Sequence, residues 1–179
     1  KKKILCREKG YHGSSYLAAT VSGTGREHDR RYMDTHQDLA IMLPNINPYI
    51  RPSGTSLEEW CNEKISEMEE TILSIGSDQI GCFIAEPILA SGGVIVPPSG
   101  YHQRSLELCK KHDIVYISDE TVTGFGRLGH WFASKEVFGI QPDIITCAKG
   151  LTSGYLPMGA AIISERLIDN IKNKDGSQP

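Results

Sequence analysis

With 179 residues, a formal net charge of −3 and 23% charged residues, the chain is long enough for one hydrophobic core and lacks the basic excess of a nucleic-acid or anionic-membrane surface. No apolar stretch is long enough to span a bilayer. Five scattered cysteines (Cys6, Cys61, Cys82, Cys109, Cys147) form no C-x-x-C pair and the six histidines lack metal-ligand spacing, so free thiols, a reducing cytoplasmic setting and no metal site are expected.

Ile4 to Arg7 reads as a short strand. Gly10-Tyr-His-Gly13 is a turn, and Ser14 is placed to cap a short helix over Ser15 to Val21. Thr24 to Thr55, with Pro44, Pro48 and Pro52, reads as an irregular excursion for pocket or subunit contacts. Ser56-Leu-Glu-Glu59 has capping-box spacing and opens a helix from Leu57 to Ile75, with Trp60, Ile65, Met68, Ile72 and Ile75 near helical period and Gly76 as its stop. Ile80 to Ile88 reads as a strand, Gly92-Gly93 as a loop and Val94 to Pro98 as extended. Tyr101 to His112 is a second amphipathic helix. Strands over Ile114–Ser118, Ile144–Ala148 and Gly159–Ile163 alternate with helices over Phe132–Phe138 and Glu165–Ile171. This alternation predicts an α/β fold, a mostly parallel sheet with helices on both faces. The chain opens on Lys1-Lys-Lys-Ile-Leu-Cys-Arg7 and closes on Lys174-Asp-Gly-Ser-Gln-Pro179, and an internal piece of a longer protein is expected.

Ligands of such sheets bind beyond the carboxyl ends of the strands. The polar residues there are Glu86, Asp119-Glu120 and Lys149. A lone lysine leaving a buried strand needs a partner or a covalent use, and a desolvated lysine is a nucleophile towards carbonyls. Asp119 offers it a chemical partner on a neighbouring strand end. An apolar run ending in Asp-Glu also imitates the magnesium-binding strand of a P-loop NTPase, but G-x-x-x-x-G-K-[ST] is missing. Tyr11-His12-Gly13 puts a flat ring at a turn, able to cover a heteroaromatic ligand. Gly124-Phe-Gly-Arg127 is a tight turn whose arginine is either structural or paired with an acid of the rim.

Taken together, Gly10-Tyr-His-Gly13, Ala85-Glu-Pro87, Gly92-Gly-Val94, Ser118-Asp-Glu120, Thr123-Gly-Phe-Gly-Arg127, Pro142-Asp143, Ala148-Lys-Gly150, Gly154-Tyr155 and Pro157-x-Gly159 closely resemble the class III aminotransferases. These are pyridoxal 5'-phosphate (PLP) enzymes of fold type I. The resemblance covers nearly all of this chain but under half of a family member, within its PLP-binding large domain. It implies that Lys149 bonds to the cofactor aldehyde and shuttles the substrate proton. It implies that Asp119 partners the ring nitrogen and that Tyr11 stacks on the ring, with His12 and Gly13 in the same loop. Glu86 resembles a carboxylate that pairs with a C-terminal arginine in many relatives.

Thr121 stands where relatives usually carry Val against the ring, and its hydroxyl is expected to bond a cofactor substituent. Val122 stands where some relatives carry Gln near the cofactor's phenolic oxygen, which weighs against the ornithine and 4-aminobutyrate branches. The resemblance further implies a homodimer, with a small-molecule amino donor and a keto acid acceptor such as pyruvate. The wording of Glu86 to Gly159 is most similar to the amine or omega-amino acid:pyruvate branch; acetylornithine or 4-aminobutyrate aminotransferase and glutamate-semialdehyde mutase are the alternatives within the family. A non-catalytic binding or scaffold relative is the alternative of another class. The N-terminal segment and the C-terminal small domain of the family are expected outside this chain, and residues 1–179 alone are expected to be inactive.

Overall fold

The apolar runs assemble into one six-stranded sheet. The structure, a computed structural model, describes residues 2–23, 32–36 and 38–175. The strands are β1 (Lys3–Arg7), β2 (Ala40–Leu43), β3 (Ile80–Ala85), β4 (Val115–Asp119), β5 (Ile144–Cys147) and β6 (Ala160–Ile163), in the spatial order β2-β1-β3-β4-β5-β6. All neighbours are parallel except β5 and β6, which are antiparallel. The expected mostly parallel α/β sheet is therefore present.

The helices are α1 (Tyr16–Val21), α2 (Leu57–Ile75), α3 (Tyr101–Lys111), α4 (Ala133–Glu136) and α5 (Glu165–Asp175). The bounds of α2 follow the sequence signals. Ser56 Oγ accepts from Glu59 N while the Glu59 carboxylate accepts from Ser56 N, a full capping box contributing about 1 kcal/mol. Gly76, at φ 92°, ends the helix in a conformation that other residues adopt at a cost.

Side-chain alternation sorts the sheet's two faces. Leu5, Phe83 and Tyr116 are register partners across β1, β3 and β4, and all three are fully buried. They share one core with Met68 and Ile72 of α2 and with Tyr101 and Cys109 of α3. The Phe83 and Tyr116 rings meet edge to face at 5.3 Å. Cys82, Ile84, Val115 and Ile117, on the other face, stay half-buried. A buried charge lies inside the core: Arg7 places its guanidinium 4.3 Å from the Tyr101 ring centroid and 5.2 Å from that of Phe83. Burial lowers its pKa to about 10.

Several boundaries differ from expectation. The supposedly irregular stretch 24–55 contains β2, an edge strand paired with β1, and a 3-10 turn over Pro48–Ile50. Residues 1, 24–31, 37 and 176–179 lie outside the described part. The β3 strand stops at Ala85 rather than Ile88, consistent with Pro87 having no N–H for the ladder. Helix α1 has Ser15 as its cap position without a side-chain bond, and the Ser14 hydroxyl meets the Tyr11 hydroxyl instead, at 2.9 Å.

Topology decides where the site lies. From β1 the chain steps outward to β2, then returns past β1 to β3 and continues in the opposite direction. The right-handed crossover rule puts α1 and the pair α2, α3 on opposite faces, so the loops leaving β1 and β3 diverge. That switch point opens a crevice at the carboxyl ends of the strands.

Candidate active site

The loop after β1 and the end of β3 are tied together across this crevice. Glu86, almost fully buried, accepts from Tyr11 N at 2.8 Å with one oxygen and from Ala90 N at 3.0 Å with the other. Burial raises its pKa above the usual carboxylate range, against the lowering effect of these two amides and of nearby His12. Both oxygens are thus engaged by the backbone of this chain. The structure gives Glu86 the task of fixing the Tyr11 loop to the end of β3.

Asp119, the last residue of β4, is the electrostatic centre. His12 Nδ1 lies 2.7 Å from its Oδ2. Its Oδ1 accepts from Thr121 N at 3.1 Å and from Thr146 Oγ1 at 3.2 Å. Burial pushes the Asp119 pKa up, but the bonds from His12 and Thr121 together outweigh it and hold the group below its ordinary value. An ionised carboxylate only accepts, so His12 carries its proton on Nδ1.

Gly13 completes the loop. Its φ of 129° is a conformation that side-chain-bearing residues rarely adopt, and an added Cβ would sit 3.0 Å from Ala18 Cβ. Tyr11 is half-buried beside it.

Lys149 follows β5 at the same rim. Register pairs Asp119 with Thr146, so Lys149 comes just past the level of the carboxylate, where a 3-10 turn over Lys149–Leu151 bends the chain. Its side chain is exposed in this structure rather than buried, because the turn carries it off the strand. Thr121 and Val122 follow Asp119 and Glu120 and are half-buried, whereas Arg127 is exposed and is not among the partners of Asp119.

Thr146 was missed from the sequence, and Glu120, named there among the polar residues of the rim, was given no role. Thr146 is an unremarked polar residue within an apolar strand. Glu120, fully buried, accepts from Thr123 Oγ1 and Ala133 N with one oxygen and from Ser134 N and Ser134 Oγ with the other. It pins the loop between Asp119 and α4. The capping signal was legible in principle, but its partner lies thirteen residues downstream of the acid. An apolar cavity of about 770 Å³ is walled by Phe125, Trp131, Phe132, Ile145 and Ile162 among others, and neither Asp119 nor Lys149 lines it. The chemistry belongs to the open rim.

The Aminotransferase class-III family model matches residues 1–177. The chain belongs to this family. It is 40% identical over 167 residues to a vanillin aminotransferase of Capsicum frutescens, covering 93% of this chain and 36% of that protein. It is 39% identical over 180 residues to the mitochondrial gamma-aminobutyrate transaminase 1 of Oryza sativa subsp. indica, covering 99% and 34%. Among solved structures, the omega transaminase of Pseudomonas jessenii in complex with PMP superposes with a TM-score of 0.87 at 35% identity, covering 98% of this chain and 38% of that one. The chain thus spans about a third of the length of the curated relatives it matches.

The residues of this rim fit the ring end of PLP. Asp119 is a buried carboxylate held below its ordinary pKa, suited to a protonated ring nitrogen. Oδ1 already takes two donors and Oδ2 only one, which leaves an acceptor position open on Oδ2 among the described residues.

Proposed function

We propose that the protein carrying this chain is a PLP-dependent transaminase that moves an amino group from an amine or omega-amino acid to a keto acid such as pyruvate. The observation that carries this reading is the pairing of strand ends: an ionised Asp119, anchored by three donors, beside the strand that delivers Lys149. Asp119 and Lys149 would hold the cofactor from its ring nitrogen and its aldehyde, with Tyr11 covering a ring face. When bound, PLP supplies an electrophilic carbon for the amino group and a ring that draws off the electron pair left by a departing proton.

The chain's own residues have defined tasks. Asp119 keeps a proton on the ring nitrogen through Coulomb attraction in a poorly hydrated site. His12 keeps Asp119 ionised and fixes the direction of Oδ2. Lys149 Nζ would take the proton from the substrate carbon that bears the nitrogen and deliver it to the former aldehyde carbon of the cofactor within the same half of the cycle, and carry out the reverse transfer in the second half. Glu86 holds the Tyr11 loop against the end of β3.

Similarity to omega transaminases supports an amine or omega-amino acid donor, and similarity to a gamma-aminobutyrate transaminase supports a second reading with 4-aminobutyrate as donor. Val122, in place of Gln, favours the first. A homodimer with two sites is part of this proposal. The test is an absorbance scan of the full-length protein with PLP, followed by amines tried against pyruvate and 2-oxoglutarate. A visible cofactor band that disappears in Lys149→Ala, with amine-dependent turnover, is the expected result. A wild-type protein without that band would reject the reading.

A further inference from the structure

Asp119 and Thr146 face each other across the β4–β5 ladder, and this pairing assigns a role to a residue that neither motif nor charge marks. They are register partners in parallel strands, so their side chains leave the same face of the sheet. The Thr146 hydroxyl lies 3.2 Å from Asp119 Oδ1, which also accepts from Thr121 N at 3.1 Å. A carboxylate oxygen has two acceptor directions, so Oδ1 is full. Oδ2 takes His12 Nδ1 at 2.7 Å and retains one direction.

The terminal torsion of an aspartate is broad and roughly two-fold, so nothing in the side chain itself decides which oxygen faces the ligand. The donors on Oδ1 decide it. Thr121 N alone leaves Oδ1 a vacant direction that competes for the same cation. Thr146 closes that direction from a sheet strand, whose position is fixed by pairing with both β4 and β6. We propose that Thr146 is a positioning residue: by filling Oδ1 of Asp119 it reserves Oδ2 for the protonated ring nitrogen. This inference rests on the cofactor reading above.

The test uses the full-length protein freed of cofactor, titrated with PLP, in wild type, Thr146→Val and Thr146→Ser. Val removes the hydroxyl at nearly constant shape, whereas Ser keeps it. A hydrogen bond to a charged group has a value corresponding to roughly tenfold in an equilibrium constant. Thr146→Val should therefore bind PLP about tenfold more weakly, and Thr146→Ser should stay within about threefold of wild type. In the cofactor-free protein, the carboxyl carbon resonance of Asp119 should titrate at higher pH in Thr146→Val than in wild type, and return in Thr146→Ser. Wild-type-like affinity and titration in Thr146→Val would overturn the positioning role while leaving the cofactor reading intact. Equal weakening in both variants would likewise overturn it, since it would mark a packing defect at β5. A wild type that binds no PLP would overturn both.

Discussion

His12 Nδ1 lies 2.7 Å from Asp119 Oδ2, while its other ring nitrogen, Nε2, is buried with no hydrogen-bond partner among the described residues. The pairing joins the loop after β1 to the end of β4, across the width of β3. One nitrogen stabilises the carboxylate, and the other is kept dry behind Gly10, where an added Cβ would come within 3.1 Å of it.

Removing the imidazole should therefore weaken the cofactor site without unfolding the sheet. A bond to a charged acceptor contributes about 1.5–3 kcal/mol, so His12→Ala should lose roughly tenfold to hundredfold in kcat/KM. His12→Asn, whose amide nitrogen approximates the place of Nδ1, should recover part of that loss. PLP titration and steady-state kinetics of the two variants check this. Equal loss in both would mean that the bond to Asp119 is not what His12 contributes.

Glu86→Gln tests the clamp on the Tyr11 loop. Each Glu86 oxygen faces a backbone N–H, so the new amide nitrogen would face a donor and leave it unmatched. The expected cost is about 1–3 kcal/mol of stability, read as a lower denaturant midpoint. The burial that raises the Glu86 pKa gives the opposite sign to its pH behaviour. An acid with a raised folded pKa destabilises the fold once charged, so wild type should lose stability as pH rises from the ordinary value of 4.5 up to the raised folded pKa, and Glu86→Gln should lack this step. An unchanged pH profile in the variant would refute the assignment.

These tests concern features that the sequence showed unevenly. Helix α2 was legible to the residue, because a capping box and a glycine stop act locally. The strands β1, β3, β4, β5 and β6 were legible as apolar runs. The strand β2 was not: Ala40-Ile-Met-Leu43 is short, sits among Asn and Pro, and gains its strand state from pairing with β1. In the site, Asp119 and Lys149 carried a motif. Glu86 was visible but its partner was not, since that partner is the backbone N–H of Tyr11, 75 residues away. Thr146 and the Nδ1 contact of His12 had no local signature, because register between strands is a tertiary property.

A pH effect should come from a histidine away from the rim. His102 is fully buried; its Nε2 faces the Pro87 carbonyl and its Nδ1 the Tyr116 hydroxyl, both at 2.9 Å. A carbonyl only accepts, so Nε2 carries the proton and Nδ1 accepts from Tyr116. Burial lowers the pKa from 6.5 to about 4, partly opposed by the Pro87 carbonyl and assisted by Arg7. A base with a depressed folded pKa stabilises above its unfolded value, and this contribution is lost as pH falls from about 6.5 to about 4. The full loss is about 3 kcal/mol. Denaturant midpoints measured through that window should fall in wild type, and the slope should flatten in His102→Gln. A flat wild-type profile would contradict the buried neutral form.

Glu120 supplies the last prediction, and its loop allows two independent measurements. Its oxygens take two backbone amides at the start of α4 and two hydroxyls, so the loop from Thr121 to Phe132 is closed at both ends by one residue. Glu120→Gln would set an amide nitrogen against Ala133 N or Ser134 N and cost about 1–3 kcal/mol. Exposed Arg127 lies within that loop, at a natural trypsin site. Cleavage there should quicken in Glu120→Gln, because opening the loop no longer breaks a fully matched buried carboxylate. The denaturant midpoint should fall in parallel. Should the midpoint fall while cleavage at Arg127 stays at the wild-type rate, Glu120 would support the strand end rather than the loop. If neither moves, its four bonds contribute nothing beyond what water provides.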